Sequence, residues 1–217
     1  MNSAEDLGTR SSPTVSVIMA NWRGERHLRD AIASVLAQTM QDLELLVADD
    51  ASDDGSQAIV LQAATRDARV RLLPATSNSG PSNARNRAIA EARGEWLAIM
   101  DSDDLIHPRR LELLLEAARR SNADLVADDL AFFGDRPDAA GRTLLGPLGL
   151  RDVMPVGPTF LVESNNDSGL PNLGYLKPLI RRSALGVTKY DPEIRVGEDF
   201  DFYLRLLLKG LRLVLVP

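Results

Sequence analysis

Short apolar runs alternate along this chain with stretches whose apolar residues recur every three or four positions. Val15-Ser16-Val17-Ile18-Met19, Leu43-Glu44-Leu45-Leu46-Val47-Ala48, Val70-Arg71-Leu72-Leu73 and Trp96-Leu97-Ala98-Ile99-Met100 have strand length. Continuous rather than alternating apolar runs mark strands covered on both faces. Between them, Leu28, Ala31, Ile32, Val35 and Leu36 form one face of a helix over 26–38. A second helix is predicted over 56–66. A third starts at Pro81, a residue suited to a first helical position, carries Ala84, Ala88, Ile89 and Ala92 on one side and ends at Gly94. A fourth covers 108–120, with Leu111, Leu114, Leu115 and Ala118 inward. Strand and helix in alternation predict an α/β fold, with a mostly parallel central sheet and helices on both faces.

The second half reads less cleanly. A strand is expected over 124–127. Residues 134–178 are rich in Gly and Pro and keep no period, the mark of a lid or binding loop. Residues 175–180 are expected to form a strand, followed by a short helix near 182–185. Gly197-Glu198-Asp199 opens a helix over 200–209, and a terminal strand covers 211–216.

Chemistry gathers where the strands stop. The fourth strand ends in Asp101-Ser102-Asp103-Asp104, the second in Asp49-Asp50, and the first in Ala20-Asn21-Trp22-Arg23. In parallel neighbours these ends share one rim, and ligands of open α/β sheets bind beyond the carboxyl ends of strands. Crowded carboxylates repel unless something positive lies between them. A hard divalent cation held by one or two carboxylates and substrate phosphates answers that need. A solvated acidic turn capping the next helix is the plainer alternative for each segment taken alone, but capping needs one acid per turn rather than a pair.

Composition narrows the field. The chain has 217 residues, 44% hydrophobic and 26% charged, which suits one large domain with a real core. A net charge of −6 with no basic face speaks against nucleic acid as a partner. Cysteine is absent, so disulfides, thiolate nucleophiles and zinc–thiolate sites are excluded, and two histidines do not make a multi-histidine metal centre. No apolar run is long enough to span a bilayer. Residues 1–12 are polar and lack a signal core, and are read as a flexible leader; a cytoplasmic location is the default.

Rival motifs lose their anchors. No G-x-G-x-x-G follows the first strand, and no G-x-x-x-x-G-K-[ST] or G-x-S-x-G occurs. Asp50-Ala51-Ser52-Asp53-Asp54-Gly55 opens like a calcium loop, yet its twelfth position is Leu61 rather than Glu. Asn166-Asp167-Ser168 is a glycosylation sequon in a chain without a secretion signal. A nucleotidyltransferase should carry a Gly-rich phosphate loop where 21–25 offer one glycine, and a phosphatase aspartate should follow the first strand.

Taken together, Val15-Ser16-Val17-Ile18, Ala33-Ser34-Val35-Leu36-Ala37-Gln38-Thr39, the segment 45–56, Ala84-Arg85-Asn86, Gly94-Glu95-Trp96, Asp101-Ser102-Asp103-Asp104 and Gly197-Glu198-Asp199 resemble, in order, a family 2 glycosyltransferase of the GT-A fold. The resemblance covers residues 13–208. It implies one GT-A domain over 13–217, with a nucleotide-sugar half (13–107) and an acceptor half (108–217). It implies a nucleotide-diphosphate sugar donor, UDP-sugar by preference, with Asp50 on the base, Ala20 and Trp22 lining its pocket, Asp101 near the ribose, and Ser102 in the same donor site. Arg85 approaches the donor, and Asp103 with Asp101 holds Mn²⁺ or Mg²⁺ on the diphosphate. The loop departs from the family's Pro-x-Tyr-Asn, although Trp22 still offers a flat face to a base.

Asp199, with Glu198 beside it, matches the family's general base, and direct displacement would invert the anomeric configuration. The same two acids also suit a helix N-terminus electrostatically. The resemblance further implies a saccharide or lipid-linked saccharide acceptor, polysaccharide or glycolipid assembly, and peripheral contact with the inner face of the plasma membrane. Residues 134–178 and Arg181-Arg182 are expected to shape the acceptor side. Members of that family continue beyond an apolar strand such as 211–216, so a missing C-terminal part is expected after Pro217. A nucleotide-sugar-binding module without turnover is the non-enzyme alternative.

Overall fold

The structure, a computed structural model, describes residues 12–133, 141–166 and 169–217. The expected leader (1–11), the first part of the Gly/Pro-rich stretch (134–140) and two sequon positions (167 and 168) lie outside the described residues.

The parallel half follows the apolar runs closely. It comprises β1 (Val15–Asn21), α1 (Leu28–Leu36), β2 (Leu43–Asp49), α2 (Ser56–Arg66), β3 (Val70–Pro74), α3 (Pro81–Glu91) and β4 (Trp96–Asp101). Then come α4 (Arg110–Ser121), β5 (Leu125–Ala127), β6 (Met154–Val156), α5 (Pro158–Ser164), β7 (Leu179–Arg181), α6 (Arg182–Leu185), α7 (Glu198–Leu208) and β8 (Leu213–Leu215). The sheet order is β3-β2-β1-β4-β7-β5-β8-β6. Strands β1 to β4 are parallel, β7 is antiparallel to both β4 and β5, β5 is parallel to β8, and β6 is antiparallel to β8. The chain leaves β1 toward β2 and returns to β4 on the other side of β1, so the order reverses there.

Both faces of the sheet are covered, which is why its strands show no alternation of polar and apolar residues. Val17, Met19, Leu45, Val47, Ala98 and Met100 pack with α1 and α4, while Ile18, Leu46, Ala48, Leu97 and Ile99 pack with α3 and α7. Successive side chains of a strand point to opposite faces, so one apolar run fills two cores. Gly94, between α3 and β4, is required by a close approach: a Cβ there would lie 2.5 Å from the Ser16 backbone nitrogen.

Three expectations are corrected. Residues 175–180 are not one strand: a 3-10 turn at Leu173–Tyr175 precedes β7, which begins only at Leu179. The stretch 141–178 contains packed elements and buries Leu144, Leu145, Leu161, Leu173 and Leu176; its apolar pieces are too short to show a period. Arg181 and Arg182 lie at the wrong rim for an acceptor site. Because β7 is antiparallel to β4, Arg181 stands opposite Trp96, at the amino end of the strand whose other end is Asp101. There Arg181 pairs with Glu95, and Arg182 donates to the Gly94 carbonyl.

Candidate functional site

Parallel pairing brings the three acidic or polar strand ends together, with Asn21 opposite Asp49 and Ala20 opposite Asp101. Beyond them, at the point where strand order reverses, lies a cavity of about 570 Å³. Ala20, Trp22, Asp50, Arg85, Asp101, Ser102 and Asp103 all line it. Such a switch point is where α/β sheets place ligands.

The two adjacent aspartates at the end of β2 do different work. Asp49 is fully buried and accepts from Asn21 Nδ2 at 2.8 Å, Gln57 Nε2 at 2.8 Å and Ser52 N at 3.0 Å, which ties the first two strand-end loops together. Asp50 faces the third loop and accepts from Gly80 N at 2.7 Å, Ser79 N at 2.9 Å and Ser79 Oγ at 3.0 Å. A carboxylate offers about four lone-pair sites, so Asp50 keeps one for a ligand N–H. Trp22 is 54% exposed, with the Arg23 guanidinium 4.9 Å from its ring centroid. Arg23 in turn makes a bidentate pair with Asp53, both bonds at 2.7 Å.

At the inner end of the cavity, charges from distant parts of the chain meet. Arg85, on α3, is 4% exposed; it donates to Asp101 Oδ1 and to Glu198 Oε1, each at 2.9 Å, and stands 3.6 Å from Asp199 Oδ2. Lys177 Nζ lies 2.7 Å from Asp199 Oδ2 and 2.9 Å from Asp101 Oδ2. Two cations thus bridge the end of β4 to the start of α7. Burial pushes the Asp101 carboxyl up, but Lys177 and Arg85 outweigh it and hold it below the ordinary value. Burial likewise opposes the charge on Lys177, and Asp101 and Asp199 overcome it, raising Lys177 above its usual value. The Lys177 backbone is held as well, its carbonyl accepting from Arg110 at 2.6 Å.

Asp199 is 7% exposed, and its other oxygen, Oδ1, is buried with no hydrogen-bond partner among the described residues. Helix α7 begins at Glu198, two residues earlier than its apolar pattern suggests, because Asp201 N donates to the Gly197 carbonyl. Tyr190 stacks on Phe202 nearby, and burial, helped by Asp199, pushes its hydroxyl well above the usual range.

The two acids expected to hold the metal differ in their surroundings. Both Asp101 oxygens carry ion pairs, whereas Asp103 is exposed and makes no ion pair among the described residues. No group of three or more acidic or histidine side chains among the described residues is arranged around a metal position. One free carboxylate at a strand end, completed by ligand phosphates, still fits Mg²⁺ or Mn²⁺.

A second cavity of about 360 Å³ is bordered by Lys177 together with Asp104, His107, Arg110, Asp128, Phe132 and Phe133. Burial, with Asp101 and Asp103 adding to it, pushes Asp104 up to about 6. Sequence reasoning missed Lys177 and Tyr190. The signal for the first was a lysine inside the apolar string Tyr175-Leu176-Lys177-Pro178-Leu179-Ile180, since a buried lysine needs anionic partners.

Known proteins resemble this chain in sequence and in fold. The family model described as Glycosyl transferase family 2 matches residues 16–185. The succinoglycan biosynthesis protein ExoO of Rhizobium meliloti (strain 1021) is 34% identical over 210 residues, 94% of this chain and 59% of that protein. The putative teichuronic acid biosynthesis glycosyltransferase TuaG of Bacillus subtilis (strain 168) is 33% identical over 205 residues, 93% of this chain and 75% of that protein. Among solved structures, S. aureus TarS 1–349 in complex with UDP superposes with a TM-score of 0.74 at 19% identity, covering 94% of this chain and 57% of that one. The mannosyltransferase PcManGT from Pyrobaculum calidifontis, in complex with GDP-Man and Mn²⁺, gives 0.69 at 20% identity, covering 95% and 55%. The chain therefore spans about three-fifths of the length of its first curated relative.

Proposed function

The chain belongs to glycosyl transferase family 2 and has the GT-A fold, and from that premise we propose that it transfers a sugar from a nucleotide-diphosphate donor to a hydroxyl acceptor with inversion at the anomeric carbon. The observation that supports this reading most is the shared pair of cations. Lys177 and Arg85 join Asp101, at the floor of the larger cavity, to Glu198-Asp199, and Lys177 also borders the smaller cavity. A donor in the first cavity and an acceptor in the second would meet at these carboxylates.

The donor base lies against Trp22 and Ala20 with an N–H to Asp50, and the ribose lies near Asp101 and Ser102. A UDP-sugar is preferred, in line with the TarS complexes with UDP and UDP-GlcNAc. The acceptor hydroxyl attacks the anomeric carbon from the face opposite the diphosphate. The new carbon–oxygen bond forms as the bond to the phosphate oxygen breaks, and that electron pair leaves with the nucleoside diphosphate. The hydroxyl proton passes to the Asp199 carboxylate, whose orientation is fixed by Lys177 at 2.7 Å. Glu198, tied to Arg85, keeps the first turn of α7 in place. Asp103 and the donor phosphates would hold Mg²⁺ or Mn²⁺, which would neutralise charge gathering on the leaving group.

The acceptor is a saccharide or a lipid-linked saccharide in polysaccharide or glycolipid assembly, as the names of ExoO and TuaG suggest. Work on lipid-linked acceptors would bring the protein to the inner face of the plasma membrane; no helix among the described residues is long and apolar enough to cross it. Residues 13–107 then serve the donor and 108–217 the acceptor. Nucleotide release from UDP- and GDP-sugars with simple saccharide and lipid-linked acceptors tests the reading. Asp199→Asn should lower release by at least about 100-fold while donor affinity is kept. Equal rates would remove Asp199 from the base role, and a wild type that binds donor without ever releasing nucleotide would be a binding module.

A further inference from the structure

Accepting the donor-site reading above, we infer that Arg195 clasps the donor diphosphate from the loop that leads into Asp199. The charges around the larger cavity point to it. Asp50 is taken up by Ser79 and Gly80, Asp101 by Arg85 and Lys177, and Arg23 by Asp53. Arg85 is itself committed to Asp101 and Glu198. Arg195 lines the same cavity, is exposed, and makes no hydrogen bond or ion pair among the described residues. Its charge is therefore available to a ligand, and a guanidinium matches phosphate oxygens in pairs.

It lies beside glycine backbone. The Arg195 Nη1 atom lies 3.5 Å from where a Gly80 Cβ would be, at the start of α3, so the guanidinium rests against a stretch of bare main chain. Gly80 (φ +90°) and Gly197 (φ +81°) both adopt the left-handed side of backbone space that favours glycine. Val196 and Gly197 separate Arg195 from Glu198-Asp199. A diphosphate held by Arg195 would thus tie the loop before α7 to the start of α3, and fix the approach to the base once the donor is in place.

The test is calorimetric titration of wild type, Arg195→Gln and Arg195→Lys with UDP, GDP and uridine, in Mn²⁺ and at two salt concentrations. Arg195→Gln should weaken the diphosphate that wild type binds by about 10- to 100-fold and leave uridine within twofold. Arg195→Lys should fall between, because it keeps charge and loses the paired donors. A Gln variant that binds the diphosphate within twofold of wild type overturns the inference while the donor site stands. An equal loss for uridine and diphosphate also overturns it, since the residue would then support the cavity rather than the phosphates. A wild type that binds neither diphosphate overturns the donor-site reading and this inference together. Arg195 is exposed on a loop, so the apo variants should melt with wild type, which separates a binding loss from misfolding.

Discussion

Replacing Lys177 by methionine probes the charge bridge most sharply. The ammonium is 12% exposed and contacts Asp199 at 2.7 Å and Asp101 at 2.9 Å. Removing one partner of a buried ion pair costs about 3–5 kcal/mol, because the remaining charge stays desolvated and unpaired. Here Arg85 remains 2.9 Å from Asp101 and 3.6 Å from Asp199, which places the loss at the lower end, about 3 kcal/mol. For a chain of this size that corresponds to a fall in Tm of roughly 6–12 °C. Thermal and urea unfolding at pH 7 supply the measurement, with Asp199→Asn as the second arm of a cycle. With the orphan carboxylate neutralised, Lys177→Met should cost less, leaving a coupling of about 1–2 kcal/mol between the two changes. A Lys177→Met protein that melts within about 2 °C of wild type, or single effects that add within about 0.5 kcal/mol, would refute the bridge.

Two further predictions concern the scaffold. Glu44 is 2% exposed and accepts from Ser16 Oγ and from Arg93 N, Nε and Nη2. Burial pushes its carboxyl up, yet Arg93 and Ser16 outweigh that and hold it below the ordinary 4.5. A carboxyl lowered by folding contributes stability that is complete above 4.5 and is lost as pH falls through the lower folded value. Glu44→Gln should therefore cost about 1–3 kcal/mol at pH 7, discounted for the half-exposed Arg93, and the gap to wild type should close under acid in urea titrations. A gap that stays constant with pH would contradict this. Gly94→Ala should destabilise by about 1–3 kcal/mol, because the added methyl meets Ser16 main chain rather than a side chain that could move; an unchanged urea midpoint would contradict the close approach.

The parallel half of the fold was legible because β1, β2 and β4 are covered on both faces and stop in polar residues within a position or two of their ends. The strand-end cavity followed from that alone. What stayed hidden depends on partners far away in sequence. Lys177 and Asp199 are 22 residues apart and Arg85 and Glu198 are 113 apart, so neither pairing leaves a local pattern. The direction of β7 is equally non-local. A run of three residues gives no orientation, so nothing local shows that Arg181 and Arg182 lie by the amino end of β4. The Asp49-Asp50 doublet stands out in the sequence, but only the structure distinguishes the aspartate that ties loops from the one left with a free acceptor site. Asp101, expected to share a metal with Asp103, has its oxygens paired with Arg85, which was expected at the donor, and with Lys177, which no local pattern places there.

In the proposed reading the strand-end cavity holds a nucleoside diphosphate through Asp103 and a divalent cation. Calorimetric titration of UDP and GDP into wild type and Asp103→Asn, with Mn²⁺ and with chelator, tests it most directly. One saturable site is expected for one of the two nucleotides in wild type, weakened at least about tenfold by the chelator and by Asp103→Asn alike. Binding that is indifferent to both the cation and Asp103 would contradict the account, as would no binding to either nucleotide.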